Sequence, residues 1–195
     1  MKPIRVLVGC EYSGEVRRAF TELGHDAWSC DWDEAEDKSR CHIRDDVLKA
    51  ARWGWDMMIA FPPCTHLARS GARWFKDKKY EQQEALQFIR ELMAFDIPMI
   101  AIENPVGIIS TQIRKPDQII HPWQFGDPYT KQTCLWLKNL PLLTPSNIVD
   151  KGEFVIHGGK KIPKWYSNRT RKRDRTFPGI AKAMADQWGS ILSQN

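Results

Sequence analysis

Two adjacent prolines directly after a short apolar run constrain this chain more than any other feature. Met57-Met58-Ile59-Ala60 reads as a buried strand, and Phe61 leads into Pro62-Pro63. The prolines fix φ and remove two N–H donors, so the run cannot continue as an interior strand and must turn out of the sheet at its carboxyl end. Open α/β sheets build their sites at that end. The loop so formed carries Cys64, followed by Thr65-His66. A nucleophile held in so stiff a loop would be pre-positioned. A small buried hydrophobe is the other reading of a cysteine there.

The rest of the chain supplies a frame for that loop. Ile4 to Gly9 reads as a buried strand, and Ser13 can cap a following helix whose Val16, Ala19, Phe20 and Leu23 share one face. Strand, tight turn and helix amino terminus together form the usual seat for the anionic end of a nucleotide-like cofactor. Ala27 to Asp31 looks like a second strand closing on an acid, where such folds set a carboxylate against ribose hydroxyls; Asp33 is the second choice. Pro98 to Ile102 is a further apolar run, ending in Glu103-Asn104-Pro105-Val106-Gly107. Glu103 can be a functional acid or a structural cap of the next turn. Tyr80 to Met93, with Leu86, Ile89 and Met93 on one stripe, reads as a scaffold helix, and Ala72 to Lys79 as a mobile segment before it.

Asp56-x-x-Ile59-x-x-Pro62-Pro63-Cys64, then Ser70-Gly71, resembles the proline-cysteine motif of the cytosine-C5 DNA methyltransferases, and Glu103-Asn104 with Gly107 resembles that family's second signature. The resemblance implies a doubly wound, mostly parallel α/β sheet of the class I, Rossmann-like type that uses S-adenosylmethionine. It makes Cys64 the nucleophile that adds to C6 of cytosine, so that C5 can attack the methyl donor, and Glu103 the acid at N3 and the exocyclic amine. Desolvation by the apolar strand would raise the Glu103 pKa as that role needs. It implies donor binding by Gly9, Ser13, Gly14, Asp31, Asp46 and Pro62, with the methionine carboxylate at the first helix and Asp46, in Asp45-Asp46-Val47, facing the adenine amino group. Each of these acids could otherwise be a solvated loop residue.

Tyr129 to Leu137 lies where the family has an Arg-x-Arg pair, with Lys131 and Thr133 at the arginine positions; Lys131 is the catalytic counterpart, although lysine cannot reproduce a bidentate guanidinium contact. Glu11 and Tyr12 stand where glycine is frequent. Phe177-Pro178-Gly179-Ile180-Ala181 resembles the final helix motif that closes the cofactor pocket, with Asp174-Arg175 in place of a Gly-Asn pair. The whole pattern looks most like the short phage-encoded branch of the family.

Charge points to the same class of partner. The chain of 195 residues carries a net +5, whereas residues 151 to 175 hold nine Lys or Arg against Glu153 and Asp174, so the rest is slightly acidic. Lys160, Lys161, Trp165, Arg169, Arg171, Lys172 and Arg173 form a basic run with aromatic interleaving, suited to phosphate contacts and stacking in double-stranded DNA, or to a solvated loop. The resemblance sets this run in a short nucleic-acid-contacting insertion at about 139–174 within a single methyltransferase domain, 1–195. So short a segment implies limited base specificity or a separate specificity or regulatory partner.

No apolar stretch is long enough for a membrane span, and no secretion-type apolar segment opens the chain, which reads as cytoplasmic. Five scattered cysteines without C-x-x-C spacing give no metal site and no disulfide framework. Two other readings stay open: a non-catalytic DNA-binding decoy or regulatory protein on this fold, and an RNA cytosine methyltransferase.

Overall fold

The structure is a computed structural model that describes residues 2–68, 79–164 and 175–191. Its centre is a seven-stranded sheet in the order β3-β2-β1-β4-β5-β7-β6. The strands are β1 (Arg5–Gly9), β2 (Asp26–Asp31), β3 (His42–Arg44), β4 (Met57–Ala60), β5 (Met99–Pro105), β6 (Gln118–Ile120) and β7 (Thr133–Lys138). β1 to β5 run parallel, while β7 is antiparallel to both of its neighbours. This is the α/β, mostly parallel, Rossmann-like arrangement of class I methyltransferases. The chain winds outward from β1 in one direction and then from β4 in the other, so the topological switch point lies between these two strands.

The central strands are continuous apolar runs because both of their faces are covered. Val6, Val8, Met57, Ile59, Met99 and Ala101 point to one face, where they pack with α1 (Glu15–Glu22) and the last described helix, α5 (Pro178–Trp188). Leu7, Met58, Ala60, Ile100 and Ile102 alternate to the other, against α2 (Val47–Ala50), α3 (Lys79–Ala94) and α4 (Ile109–Gln112). In α3 the buried stripe is Leu86, Ile89 and Leu92, with Met93 only partly buried; the segment expected to move, Ala72 to Lys79, lies outside the described residues except for Lys79, which opens the helix. No helix among the described residues is long and apolar enough to cross a membrane.

Three expected boundaries shift for physical reasons. β5 does not end before Glu103 but carries on through Pro105, because β7 pairs Leu135, Cys134 and Thr133 with Glu103, Asn104 and Pro105. Helix α1 ends at Glu22, leaving Leu23 exposed outside it, and its buried face takes in Arg17 instead. Ser13 is also not the helix cap. Gly14 holds that position at φ 71° without a side-chain cap, and the Glu11 carboxylate, 4% exposed, accepts from the Val16 N–H at 2.7 Å and the Arg17 N–H at 3.3 Å.

Glu11 therefore performs the work of a cap from three residues upstream of Gly14, at the cost of desolvation that pushes its pKa up to about 7 despite those two N–H groups and the nearby Arg17 and Arg18. The folded protein holds that proton until about pH 7, whereas the unfolded chain releases it near 4.5. Unfolding thus releases a proton in between, and this group's contribution makes stability fall as pH rises through that window. In Glu11→Gln, which can still accept from Val16, the drop in unfolding free energy between pH 5 and pH 8 should shrink by on the order of 2–3 kcal/mol. Urea unfolding of both proteins at the two pH values measures it.

Candidate active site

The loop after β4 and the strand β5 are fastened to one another at two levels. Asn104, fully buried, donates from Nδ2 to the Pro62 carbonyl at 2.8 Å, and the Ile108 N–H donates to the Leu67 carbonyl at 2.9 Å. Gly107 permits the second contact, since a Cβ there would lie 2.0 Å from the Leu67 oxygen. The Leu67 and Ala68 N–H groups donate to the Cys64 carbonyl at 3.0 and 2.9 Å, closing a short turn. The prolines fix the loop's exit and Asn104 fixes its height. Cys64 is held at the mouth of a cleft, exposed.

That cleft, of about 820 Å³, draws on six distant parts of the chain, among them His121 and the Ile162-Pro163 pair. Phe61, Pro62 and Cys64 come from the loop after β4, and Glu103 and Asn104 from β5. Lys131 precedes β7, and Arg175 with Phe177 leads into α5. Lys131 sits with its ammonium 5.8 Å from the centre of the Phe177 ring. The Cys64 thiol is pushed above its ordinary pKa by burial and then by the Glu103 carboxylate, while Lys131 pulls it down. Desolvation raises the Glu103 pKa as well, and Lys131 again opposes the shift. The two acids repel each other directly once ionised, so a proton lost from one makes the next harder to lose, while Lys131 favours both losses.

At the amino-terminal half of the sheet the other expected residues gather separately. Gly9, Ser13, Gly14, Asp31 and Asp46 are not among the residues lining the Cys64 cleft, whereas Pro62 is. Gly9 ends β1 and Asp31 ends β2. Cys10 follows Gly9 with φ 56°, and its thiol is raised by burial and then by the charges of Asp31, Cys30 and Asp46. Burial raises the half-buried Asp31. Asp46 accepts from the Leu48 N–H at 2.9 Å as the cap of α2, which is a structural role for one of its two oxygens.

The first turn of α1 offers less to an external anion than its sequence suggested, because Glu11 already takes the Val16 and Arg17 N–H groups. Trp32, by contrast, was missed. It is 68% exposed immediately after Asp31, and an acid followed by an aromatic at a strand end was the available signal. His121, at the end of β6, also lines the cleft without having been singled out; burial and then Lys151 hold its pKa down.

Of the basic residues, Lys160 and Lys161 belong to a hairpin of β8 (Phe154–His157) and β9 (Lys160–Pro163). Gly158 and Gly159, at φ 55° and 73°, supply the turn, since both positions need the left-handed region. Lys161 is exposed and lies over the Phe154 ring at 5.0 Å. Trp165, Arg169, Arg171, Lys172 and Arg173 fall outside the described residues, as do Ser70 and Gly71. Among the described residues no three His, Cys, Asp or Glu side chains are grouped to hold a metal, and all five cysteines are unbridged.

No family model and no curated protein matches the chain. Solved structures do. A methyltransferase of Entamoeba histolytica, EhMeth, is 16% identical, with 76% of this chain covering 58% of that one at a TM-score of 0.54. A DNMT2 variant of Spodoptera frugiperda (16% identity, 76% and 55% coverage, TM-score 0.48) is also similar. So is a protein from E. coli described as a candidate DNA modification methyltransferase encoded within a prophage (15%, 75% and 52%, 0.46). The chain spans a little over half the length of each of these proteins. At such identity the likeness to EhMeth is one of fold, and it agrees with the strand order in assigning the class I methyltransferase fold.

The electrostatics of the cleft fix how Cys64 should respond to its neighbours. Glu103→Gln removes a negative neighbour, so the Cys64 thiol pKa should fall. Lys131→Met removes the cation, so it should rise. The pH dependence of iodoacetamide alkylation at Cys64, followed by peptide mass spectrometry, should shift its midpoint in opposite directions in the two variants, by about one unit.

Proposed function

We propose that this protein transfers a methyl group from S-adenosylmethionine to C5 of cytosine in double-stranded DNA. The observation that carries the reading is the convergence of Cys64, Glu103 and Lys131 on one cleft, from the loop after β4, from β5 and from the approach to β7. Binding DNA alone gives no reason for an exposed thiol to share a cleft with a carboxyl whose pKa is raised. When bound, the donor supplies an electrophilic methyl group.

The chain's own residues account for activation of the base; once C5 carries the methyl group, loss of the C5 proton breaks the C6–S bond, returns the Cys64 thiolate and restores the ring. The Cys64 thiolate, favoured by Lys131, adds to C6 of the extruded base, and electron density moves toward N3. Glu103, whose pKa desolvation raises, donates in its acid form to N3 and neutralises that charge. Protonation of Glu103 also withdraws the negative charge that opposes the thiolate. Asn104, through its bond to the Pro62 carbonyl, sets the height of the nucleophile above the base.

For the donor, Asp31 would hold the ribose hydroxyls and the exposed Trp32 ring would offer a face to adenine. The Asp46 oxygen not used in capping is available to the adenine amino group, and Gly9 and Cys10 form the turn beneath. The residues fit the adenosine half. The methionine carboxylate finds fewer donors at α1 than a glycine-rich turn would give it, since Glu11 is already seated there. The hairpin, with Lys160 and Lys161, and the basic run that follows form the short nucleic-acid-contacting insertion of a single methyltransferase domain.

Donor binding and the nucleophile can be examined separately. Isothermal calorimetry with S-adenosylmethionine should give about ten-fold or weaker affinity for Asp31→Ala and for Trp32→Ala, as expected for the loss of a charged hydrogen bond or a stacking face. Undiminished affinity in both would move the donor elsewhere.

A duplex carrying 5-fluorocytosine should trap a covalent adduct in the presence of the donor, since fluorine cannot leave as a proton does. Cys64→Ala should abolish the adduct, and Glu103→Gln should slow its formation by on the order of 10²–10⁴. Methylation that persists in Cys64→Ala would end this reading.

A further inference from the structure

Arg175 enters the cleft from the segment leading into α5 and has no part in the chemistry set out above. One end of its guanidinium is tied to the Glu36 carboxylate. Glu36 is anchored in turn, its N–H donating to the Tyr12 carbonyl at 3.0 Å. The Arg175 Nε–H, in contrast, is buried and has no acceptor among the described residues. A guanidinium held at one end with a buried donor left over is a fork waiting for an acceptor, and carboxylate or phosphate oxygens match that fork best.

The charge of the cleft selects between acceptors. Cys64, Glu103, His121, Lys131 and Arg175 are its only ionisable lining residues among those described. Lys131 and Arg175 face a single carboxylate in that lining, Glu103, whose pKa burial raises, and burial lowers the pKa of His121. Glu36 offsets Arg175 in part, from outside the lining. Lys131 approaches the ring of Phe177, two residues after Arg175, and both cations line the same cleft. An anionic group that enters the cleft meets both positive charges.

We propose that Arg175 and Lys131 form an oxyanion subsite beside Cys64 that takes the phosphate of the nucleotide whose base enters the cleft. The inference rests on the reading of the cleft as a nucleotide-accepting site and names how the nucleotide is held. The phosphate can belong to a polynucleotide or to a free mononucleotide, and the subsite supplies the same chemistry to both. It also gives Arg175, which is remote in sequence from Lys131, the guanidinium contact that lysine cannot make.

The test uses the full chain and reads protection of Cys64 from iodoacetamide, peptide by peptide. Protectants are deoxycytidine, dCMP, dAMP and a cytosine-containing duplex. In the unaltered protein dCMP should protect at about ten-fold or lower concentration than deoxycytidine, or the duplex should protect where deoxycytidine does not. Arg175→Gln should raise the protecting concentration of dCMP and of duplex about ten-fold and leave that of deoxycytidine unchanged. Arg175→Lys, which keeps the charge but not the fork, should fall in between, and carries the comparison should Arg175→Gln not fold.

Glu36→Gln breaks the same ion pair without touching the guanidinium, and should retain the phosphate preference. Protection by dCMP and duplex that survives both Arg175 variants overturns the subsite, as does an equal loss in Glu36→Gln. Protection that depends on Arg175 but is the same for dAMP and dCMP would leave the subsite standing and remove the cytosine reading. Dependence on Arg175 with the duplex alone assigns the phosphate to polynucleotide, and with dCMP alone to free nucleotide.

Discussion

The contact on which the cleft depends is the one between a buried amide and a proline carbonyl. Asn104 extends from β5 to the Pro62 oxygen, and through that bond a loop that has left the sheet stays in register with a strand still inside it. Water cannot replace the bond, because Asn104 is almost completely inaccessible. Removing the side-chain donor would leave a buried acceptor unpaired, which costs more than the bond itself contributes. The neighbouring Leu67–Ile108 contact, made possible by Gly107, is a second fastening that keeps the loop from rotating about the first. Cys64 and Glu103 thus lie near each other because the backbones that carry them are fastened together.

From that proximity follows a conflict. An exposed thiol and a desolvated carboxyl, close enough for the charge of one to be felt by the other, cannot both ionise readily. Lys131 favours the ionised form of each and so does not decide between them. Desolvation acts against both, raising the carboxyl and the thiol alike, and the repulsion between their charges adds to the rise at the thiol.

Much of this was legible in the order of residues. The apolar runs that became β1, β4 and β5 are buried on both faces, so their continuity alone marked them. Pro62-Pro63 announced the exit of the chain from the sheet, and Cys64 and Glu103, singled out by their order, line one cleft. What escaped reading depended on partners far away. Glu103 looked like the residue after a strand, and became part of one only because β7 runs back along it. Ser13 looked like the cap by type and its Oγ accepts from the Glu15 N–H at 3.4 Å, but Glu11 takes the next two backbone N–H groups, which no sequence rule points toward it. Trp32 was signalled only by its place after a strand-terminal acid, and Arg175 by nothing local, since an unpaired donor is a property of the folded chain.

The pairing of the two helices on one face of the sheet has a consequence for how the protein comes into being. Val16 and Phe20 of α1 share a core with Ala181, Met184, Ala185 and Trp188 of α5, which synthesis delivers more than a hundred and fifty residues later. Until α5 emerges from the ribosome, α1 covers that face of the sheet only in part, and the nascent chain carries uncovered apolar surface. The same late segment brings Arg175 and Phe177 to the cleft. Covering of the core and completion of the cleft are therefore one event in time, and a chain halted short of it has neither.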